Sequence, residues 1–324
     1  MYQKSNWQPS AEIATLKKRA QLFSEIRQFF YERDVMEVDT QILSLGSISD
    51  PHIEALSLHT SVQGEPVNYY LQTSPEFAMK RLLCAGSGSI YQLGKVFRAE
   101  DRSRRHAVEF TMLEWYRQDF DHWQLMDEIE SLLKALTKDV SITCESKSYQ
   151  EVFEEVLQIN PHQVQLNQLQ TMAYEYTEYG LEETDRDTLL ELLFSHVIET
   201  KIGLERPCFI HGYPASQAAL AKKILVEGVE VAARFELYWK GMELANGYYE
   251  LTDAMEQSTR FLEDIEQRRL LNLPSRQVDD RLVAALEHGL PSCAGVALGV
   301  DRLLMLLCNI ETINQVIPFA DDRA

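Results

Sequence analysis

Residues 97–116 read FRAEDRSRRHAVEFTMLEWY and hold the densest chemistry in the chain. Arg98 and Glu100 are paired with Glu109 and Phe110 across a short loop carrying Arg102, Arg104, Arg105 and His106. The flanking segments alternate like strands, which predicts a strand–loop–strand with the charges at its tip. Alternation puts Phe110, Met112, Glu114 and Tyr116 on one face of the second strand. A face mixing an aromatic ring, a carboxylate and a phenol is poor core material and good pocket material. The competing expectation is a solvated hairpin with a basic tip.

A second constellation is RFELYWKGMELANGYYEL, residues 234–251. Lys240-Gly241 predicts a two-residue hairpin turn, so Tyr238 faces Glu243 and Glu236 is its diagonal same-face neighbour. Two carboxylates so placed repel unless a cation or proton sits between them. Oxygen ligands beside a nucleotide suggest Mg²⁺, which takes one or two carboxylates plus phosphates and waters. The alternative is a pair of solvated acids on an open sheet face. Asn246-Gly247 predicts a turn or bulge. Just beyond it Glu250 is a third acid, available for an ammonium group.

The third stretch, GVALGVDRLLMLL, places Gly295 and Gly299 in a strand that enters a helix near Val300. Glycines there let a ligand or neighbouring backbone approach closely. Arg302 falls in the first helical turn, where a cation opposes the helix dipole. A bound phosphate reverses that balance, since the helix N-terminus and the guanidinium both favour an anion. The alternative partner for Arg302 is an acid such as Asp301, which is also placed to satisfy helix-start donors.

The elements that must position these groups are mixed. Ser10 can cap a helix whose apolar positions run Ile13, Leu16, Ala20, Phe23, Ile26 and Phe30. MEVDTQIL (36–43) predicts a short strand. LQTSPEFAMKRLLCAG (71–86) predicts a strand end, a Ser74-Pro75 turn and a helix with Glu76 in its first turn. A helix through Leu125, Ile129, Leu132 and Leu136 follows Asp121, and residues of about 145–230 read as mostly helical. Strands and helices without regular βαβ alternation argue for an α+β fold with an antiparallel sheet.

Composition bounds the rest. With 324 residues, 45% hydrophobic and 25% charged, the chain can bury a sizeable core. No run of eighteen apolar residues predicts a membrane span, and the N-terminus lacks a signal-peptide core. Cys84, Cys144, Cys208, Cys293 and Cys308 are scattered, which predicts reduced thiols in a cytoplasmic protein. A net charge of −19 disfavours polyanionic partners.

Together these residues resemble the class II aminoacyl-tRNA synthetases. FRxE…RHxxEFTMLEWY is similar to motif 2 of that family, GVALGVDR to motif 3, and MEVDTQIL to the dimer-forming motif 1. The spacing of TSPE, FRAE, EFTMLEWY, ELANGYYEL and GVDR resembles the lysyl branch, over essentially the whole chain. Lysyl-tRNA synthetases carry an N-terminal anticodon-binding domain, whereas the first catalytic-domain helix is expected here at about Ala11. Residues 1–324 therefore read as a single catalytic domain with a mostly helical insertion at about 145–230. Within the branch the chain resembles the truncated paralogues that modify elongation factor P.

The resemblance implies a class II catalytic domain: a six- or seven-stranded antiparallel sheet flanked by helices, in a homodimer. It implies a ligase that consumes ATP with Mg²⁺ and activates (R)-β-lysine or lysine as an aminoacyl-adenylate. The aminoacyl group would pass to the ε-amine of a lysine on elongation factor P, with no tRNA and no membrane involved. Arg98 would hold the α-phosphate and the amino-acid carboxylate, Glu100 would contact adenine, and Phe110 would stack on it. Arg302 would bind the γ-phosphate, and Glu236 and Glu243 would hold Mg²⁺. Asn246 would assist at the substrate carboxylate. Glu250 and Tyr116 would grip the side-chain ammonium, with Glu76 and Glu114 near the other amine. Ser74, Pro75 and Ala297 line the substrate side in this reading, and His106, Leu244 and Gly299 the ATP side.

The chain departs from the pattern at Ala99 and Ala107, which replace asparagines and leave only main-chain contacts to ATP. Gln41 replaces the usual proline of motif 1. Ala297 replaces the middle glycine of Gly-x-Gly-x-Gly, where its methyl group would reshape the pocket floor and help select a β-amino acid. Three other readings compete: a minimal lysyl-tRNA synthetase, a non-catalytic amino-acid or adenylate sensor, and a free amino-acid ligase of the asparagine-synthetase kind.

Overall fold

The computed structural model describes residues 7–99, 102–321, 323 and 324. Helix α1 (Ile13–Tyr31) buries Thr15, Arg19, Leu22, Ile26, Phe29 and Phe30. The expected stripe is rotated, because Ile13 and Ala20 are exposed. The buried Arg19, which pairs with Asp301, fixes which face turns inward. Ser10 does not cap α1. The cap position is Glu12, and Ser10 Oγ instead accepts from the Ala320 amide at 2.8 Å.

MEVDTQIL forms two short strands rather than one: β1 (Met36–Glu37) and β2 (Leu43–Ser44). The second joins β3 (Ser57–Val62) and β4 (Glu65–Leu71) in a small sheet ordered β2-β4-β3. The Ser74-Pro75 turn then starts α2 (Glu76–Cys84), with Glu76 in its first turn as expected.

Strands β5 (Ile90–Phe97) and β6 (Glu109–Gln118) are the predicted strand–loop–strand. Asp121 caps α3 (His122–Thr137) through a reciprocal box with Gln124. The stretch expected to be mostly helical is only partly so. It opens with β7 (Glu145–Ser148), runs through α4 (Tyr149–Leu157), α5 (Leu166–Thr177) and α6 (Arg186–Leu193), and returns to strand in β8 (Cys208–Pro214) and β9 (Lys223–Val226). β8 lies inside the main sheet, so its apolar run CFI is buried on both faces and shows no period-two signal. The chain closes with β10 (Val229–Tyr238), β11 (Glu243–Tyr249), α7 (Ala254–Leu270), α8 (Asp280–Gly289), β12 (Cys293–Gly299) and α9 (Val300–Cys308).

Among the described residues the main sheet has nine strands in the order β1-β5-β6-β12-β11-β10-β8-β7, with β9 paired to β10. The run from β5 to β8 is antiparallel, while the outer strands β1 and β7 run parallel to their neighbours. The fold is therefore α+β with a sheet dominated by antiparallel pairs and flanked by helices. One sheet face packs Leu113, Trp115, Phe235, Val296 and Leu298 against α1, α3 and α9. The other face carries the polar residues. It is flanked at the β5–β6 end by α2, α7 and α8 through Met79, Leu83, Phe261 and Leu282, and at the far edge the helices α4 to α6 cover β8.

Candidate active site

Register brings the predicted residues together on that polar face. Glu114 on β6 pairs with Ala297 on β12, Ala297 with Asn246 on β11, and Asn246 with Glu236 on β10. Directly opposed residues share a face. These four therefore form a row about 14 Å long across four strands. A second row runs Tyr116, Gly295, Tyr248, Arg234.

The first end of the row is a carboxylate pocket. Ser74 Oγ donates to Glu114 Oε2 at 2.7 Å, and Tyr116 Oη donates to Oε1 at 2.8 Å. Burial, then the Glu76 charge, pushes Glu114 up to about 8. Ser74 also accepts from the Glu76 amide at 3.0 Å, next to Pro75 at the helix cap. Glu250, fully buried, forms an ion pair at 2.6 Å with Lys80 Nζ, which lies 2.7 Å from Glu76. A Cβ at Gly295 would strike the Tyr116 ring and come within 2.6 Å of Glu250 Oε1. Glycine is thus required there for the pocket to exist.

The expectation that Glu250 is available to an ammonium group is narrowed by Lys80, which occupies Oε2 and leaves Oε1. Sequence reasoning passed over Lys80 because Glu76 and Lys80 are four apart, a spacing that ordinarily marks a surface helix pair. The Asn246-Gly247 turn is likewise corrected: both residues lie inside β11, and the irregularity falls near Leu244 instead. Gly247 opposes Phe235, whose ring lies where a Cβ would go. The Lys240-Gly241 turn forms as expected, with Tyr238 opposite Glu243 and left-handed φ values of 52° and 67° at its two central residues.

The far end of the row is cationic and carboxylate in turn. Arg234 Nη2, Tyr213 Oη at 2.6 Å, Tyr238 Oη at 2.5 Å and Asn246 Nδ2 at 3.3 Å all donate to Glu236. Arg234 Nε also donates to Asn246 Oδ1 at 3.2 Å, which fixes the orientation of the amide. Tyr213 lies in the stretch read as helical, which is why it went unrecognised. Burial and the Glu236 charge raise the carboxyl of Glu243, while Arg302, Arg98 and Arg234 pull it back. Glu199, just past the insertion helices, is pushed up to about 7 by burial and then by Glu243.

Arg302 Nη1 donates to the Glu243 carbonyl at 2.8 Å and stands 3.6 Å from its carboxylate, while Nη2 meets His106 Nε2. Asp301 is not its partner, because that side chain is turned inward to Arg19 and the Thr111 amide. The Arg98 guanidinium carbon lies 5.5 Å from the centroid of Phe110. Arg98 and Arg302, 204 positions apart in the sequence, both favour the ionised carboxyl of Glu243, and Arg302 touches it. Gly299 ends β12 opposite Met112. The side chains of Leu244 and Ala107 lie in the core, so any site role belongs to their main chains. The Ala99 amide donates to the Glu54 carbonyl at 2.8 Å. Glu100 lies outside the described residues. The hairpin tip is pinned rather than free: Arg102 pairs with Asp321, Arg104 with Glu311, and Arg105 donates to the Gly241 carbonyl.

Among the described residues no three of His, Cys, Asp or Glu form a metal cage. A hydrated cation shared with phosphates needs only one or two carboxylates. Glu243 meets that requirement, with a side chain 38% exposed beside Arg302. The oxygens of Glu236 are already engaged by four protein donors.

Residues 7–323 match the family model described as tRNA synthetases class II (D, K and N). A protein of Pseudoalteromonas translucida named elongation factor P–(R)-β-lysine ligase is 51% identical over 322 residues, covering 98% of each chain. Proteins of the same name from Hamiltonella defensa and Avibacterium paragallinarum are 47% and 48% identical, covering 100% and 98% of each chain.

Proposed function

The chain belongs to the class II tRNA synthetases of the D, K and N group, and from that premise we propose that it is a ligase. It activates (R)-β-lysine or lysine with ATP as an aminoacyl-adenylate. It then transfers the aminoacyl group to a lysine ε-amine of elongation factor P, the protein named for the relatives above. The observation that carries this reading is one sheet face whose Glu114–Ala297–Asn246–Glu236 row has a carboxylate pocket suited to amines at one end and, toward the other, Glu243 beside the Arg302 guanidinium.

The substrate carboxylate attacks the α-phosphate in line and pyrophosphate leaves. Charge develops on phosphate oxygens, where Arg98 and Arg302 offset it. Phe110 gives adenine a stacking surface, with His106 beside the phosphate-binding Arg302 and main-chain groups of Ala99, Ala107, Leu244 and Gly299 around the nucleotide. Glu243, with Glu236 behind it, would hold Mg²⁺, which supplies neutralisation of the β- and γ-phosphates. Asn246, oriented by Arg234, faces the substrate carboxylate. Glu250 and Tyr116 receive the terminal ammonium, and Glu76 and Glu114 the other amine. Ser74 and Pro75 close the pocket over its floor at Ala297. The acceptor ε-amine must shed a proton before it attacks the adenylate carbonyl, and departing phosphate oxygens can accept it.

The chain is one catalytic domain with an insertion at about 145–230, whose helices lie within residues 149–198. A homodimer is supported by the exposed apolar side chains in and beside motif 1, namely Tyr31, Met36, Leu43 and Leu45. No helix is long and apolar enough to cross a membrane among the described residues.

The decisive experiment supplies ATP, lysine or β-lysine, and either purified elongation factor P or tRNA, and weighs the products. A mass gain of one lysyl unit on elongation factor P is expected. Charged tRNA, or no product with either acceptor, would overturn the reading.

A further inference from the structure

Lys80 has no place in the chemistry above, yet it is among the most deeply buried charges in the molecule, at 1% exposure. Its ammonium is 2.6 Å from Glu250 Oε2 and 2.7 Å from Glu76 Oε1. The other oxygen of Glu250, Oε1, lies over Gly295, sealed from solvent and without a hydrogen-bond donor among the described residues. A buried acceptor left open in this way costs about 1–3 kcal/mol or more unless something binds it. Burial alone would lower the Lys80 ammonium, but Glu250 and then Glu76 outweigh it and hold it protonated.

Three carboxylates face this pocket: Glu76, Glu114 and Glu250. They come from three places: the start of α2, β6, and the residue that follows β11. Desolvated carboxylates in such proximity would neutralise by taking up protons. A neutral pocket would accept an apolar tail as readily as an ammonium. A lysine fixed by the chain opposes that, because its charge cannot leave.

We infer that Lys80 is a specificity-determining positioning residue, a counter-cation built into α2 that bridges Glu76 and Glu250 and sets the deficit of the substrate-filled pocket at two positive charges. A bound ammonium takes the place of the proton on Glu114, so in the filled pocket three carboxylates less one ammonium leave two charges to be filled, and a diamino acid supplies two. A monoamino acid leaves a carboxylate stranded in the interior. The inference rests on the amino-acid pocket proposed above and adds the reason that such a pocket would demand two amines.

The test is ATP–pyrophosphate exchange with matched substrates: β-lysine against 3-aminohexanoate, and lysine against norleucine, each pair differing only in the terminal amine. Wild type is expected to prefer the diamino member strongly. Lys80→Met and Glu76→Gln each break the count, and each should reduce the preference in kcat/KM about tenfold or more, as expected for a lost charged hydrogen bond. The double variant Lys80→Met/Glu76→Gln removes one charge of each sign, restores the count, and should recover most of the preference. The KM for ATP should stay within about threefold throughout, which reports an intact fold. Should Lys80→Met alone not fold, Glu76→Gln and the double variant still carry the comparison. If Lys80 is only a packing strut, both members of a pair lose equally and the double variant is worse than either single. That outcome overturns the inference. A wild type with no preference for the terminal amine overturns instead the pocket assignment on which it rests.

Discussion

Asp301 Oδ2 accepts from the Thr111 amide at 2.6 Å, so the helix that carries Arg302 is fastened to the strand that carries Phe110 and Glu114. Arg19 completes the joint, with Nη1 on Asp301 and on the Val316 carbonyl at 3.2 Å, and Nη2 on Thr111 Oγ1 at 2.6 Å. The two arginine-bearing motifs are thereby held in one frame by groups that never face the pocket. Asp301→Ala leaves Arg19 buried without its counter-charge, which should destabilise the fold by about 3–5 kcal/mol. Chemical denaturation measures this, and a loss below about 1 kcal/mol would show that the joint carries little.

Glu114 makes the apo protein and the pocket respond to pH. Facing it are Ser74 and Glu76 at the start of α2, Tyr116 beside it, Gln92 across β5, Ala297 across β12, and Glu250 with its partner Lys80. Its carboxyl moves from an ordinary 4.5 to about 8 in the folded chain. Between those values the native state keeps a proton that the unfolded state has lost, so stability falls as pH rises through that window. A bound ammonium favours the ionised form, so diamino-acid affinity should rise over the same range. Glu114→Gln should flatten the stability slope in thermal melts taken from pH 5 to 8.5, leaving the part contributed by Glu199 and Glu250, both pushed up to about 7. A slope unchanged by the substitution contradicts the assignment.

Arg98 and Arg302 should be needed for the chemical step more than for the fold. Alanine at either position is expected to slow pyrophosphate exchange on the order of 10² to 10³-fold, the usual cost of losing a donor to developing charge. Near-wild-type exchange in either variant would remove that arginine from the phosphate site.

Ala297 stands between Glu114 and Asn246, at the centre of the row that spans both amine and carboxylate positions. Its methyl group raises the floor where the substrate backbone would lie. Ala297→Gly should shift the preference from β-lysine toward α-lysine, read as the ratio of their kcat/KM values in exchange assays. An unchanged ratio rejects Ala297 as the selector.

Where prediction and structure diverge, the divergence has a physical cause. The alternation of EFTMLEWY is visible because one face of β6 is polar and the other is core, and the cap at Asp121 and the Lys240-Gly241 turn are local bargains between neighbours. β8 was misread because burial on both faces erases the period that distinguishes strand from helix. Tyr213 and its bond to Glu236 were lost with it. The stripe on α1 was displaced because a single buried arginine outweighed two marginal apolar positions.

The amino-acid order alone settled the alternation of β6, the Lys240-Gly241 turn and the motifs that the chain shares with its family, since all of these depend on residues within a few positions of one another. Only the tertiary structure decided that Lys80 occupies Glu250, that Asp301 turns away from Arg302, and that Glu236 is enclosed by two phenols and a guanidinium. Those pairings join elements up to 282 positions apart. Charges so distant along the chain meet only where strand register and helix packing bring them, and no local pattern records which of several acids a buried cation will find.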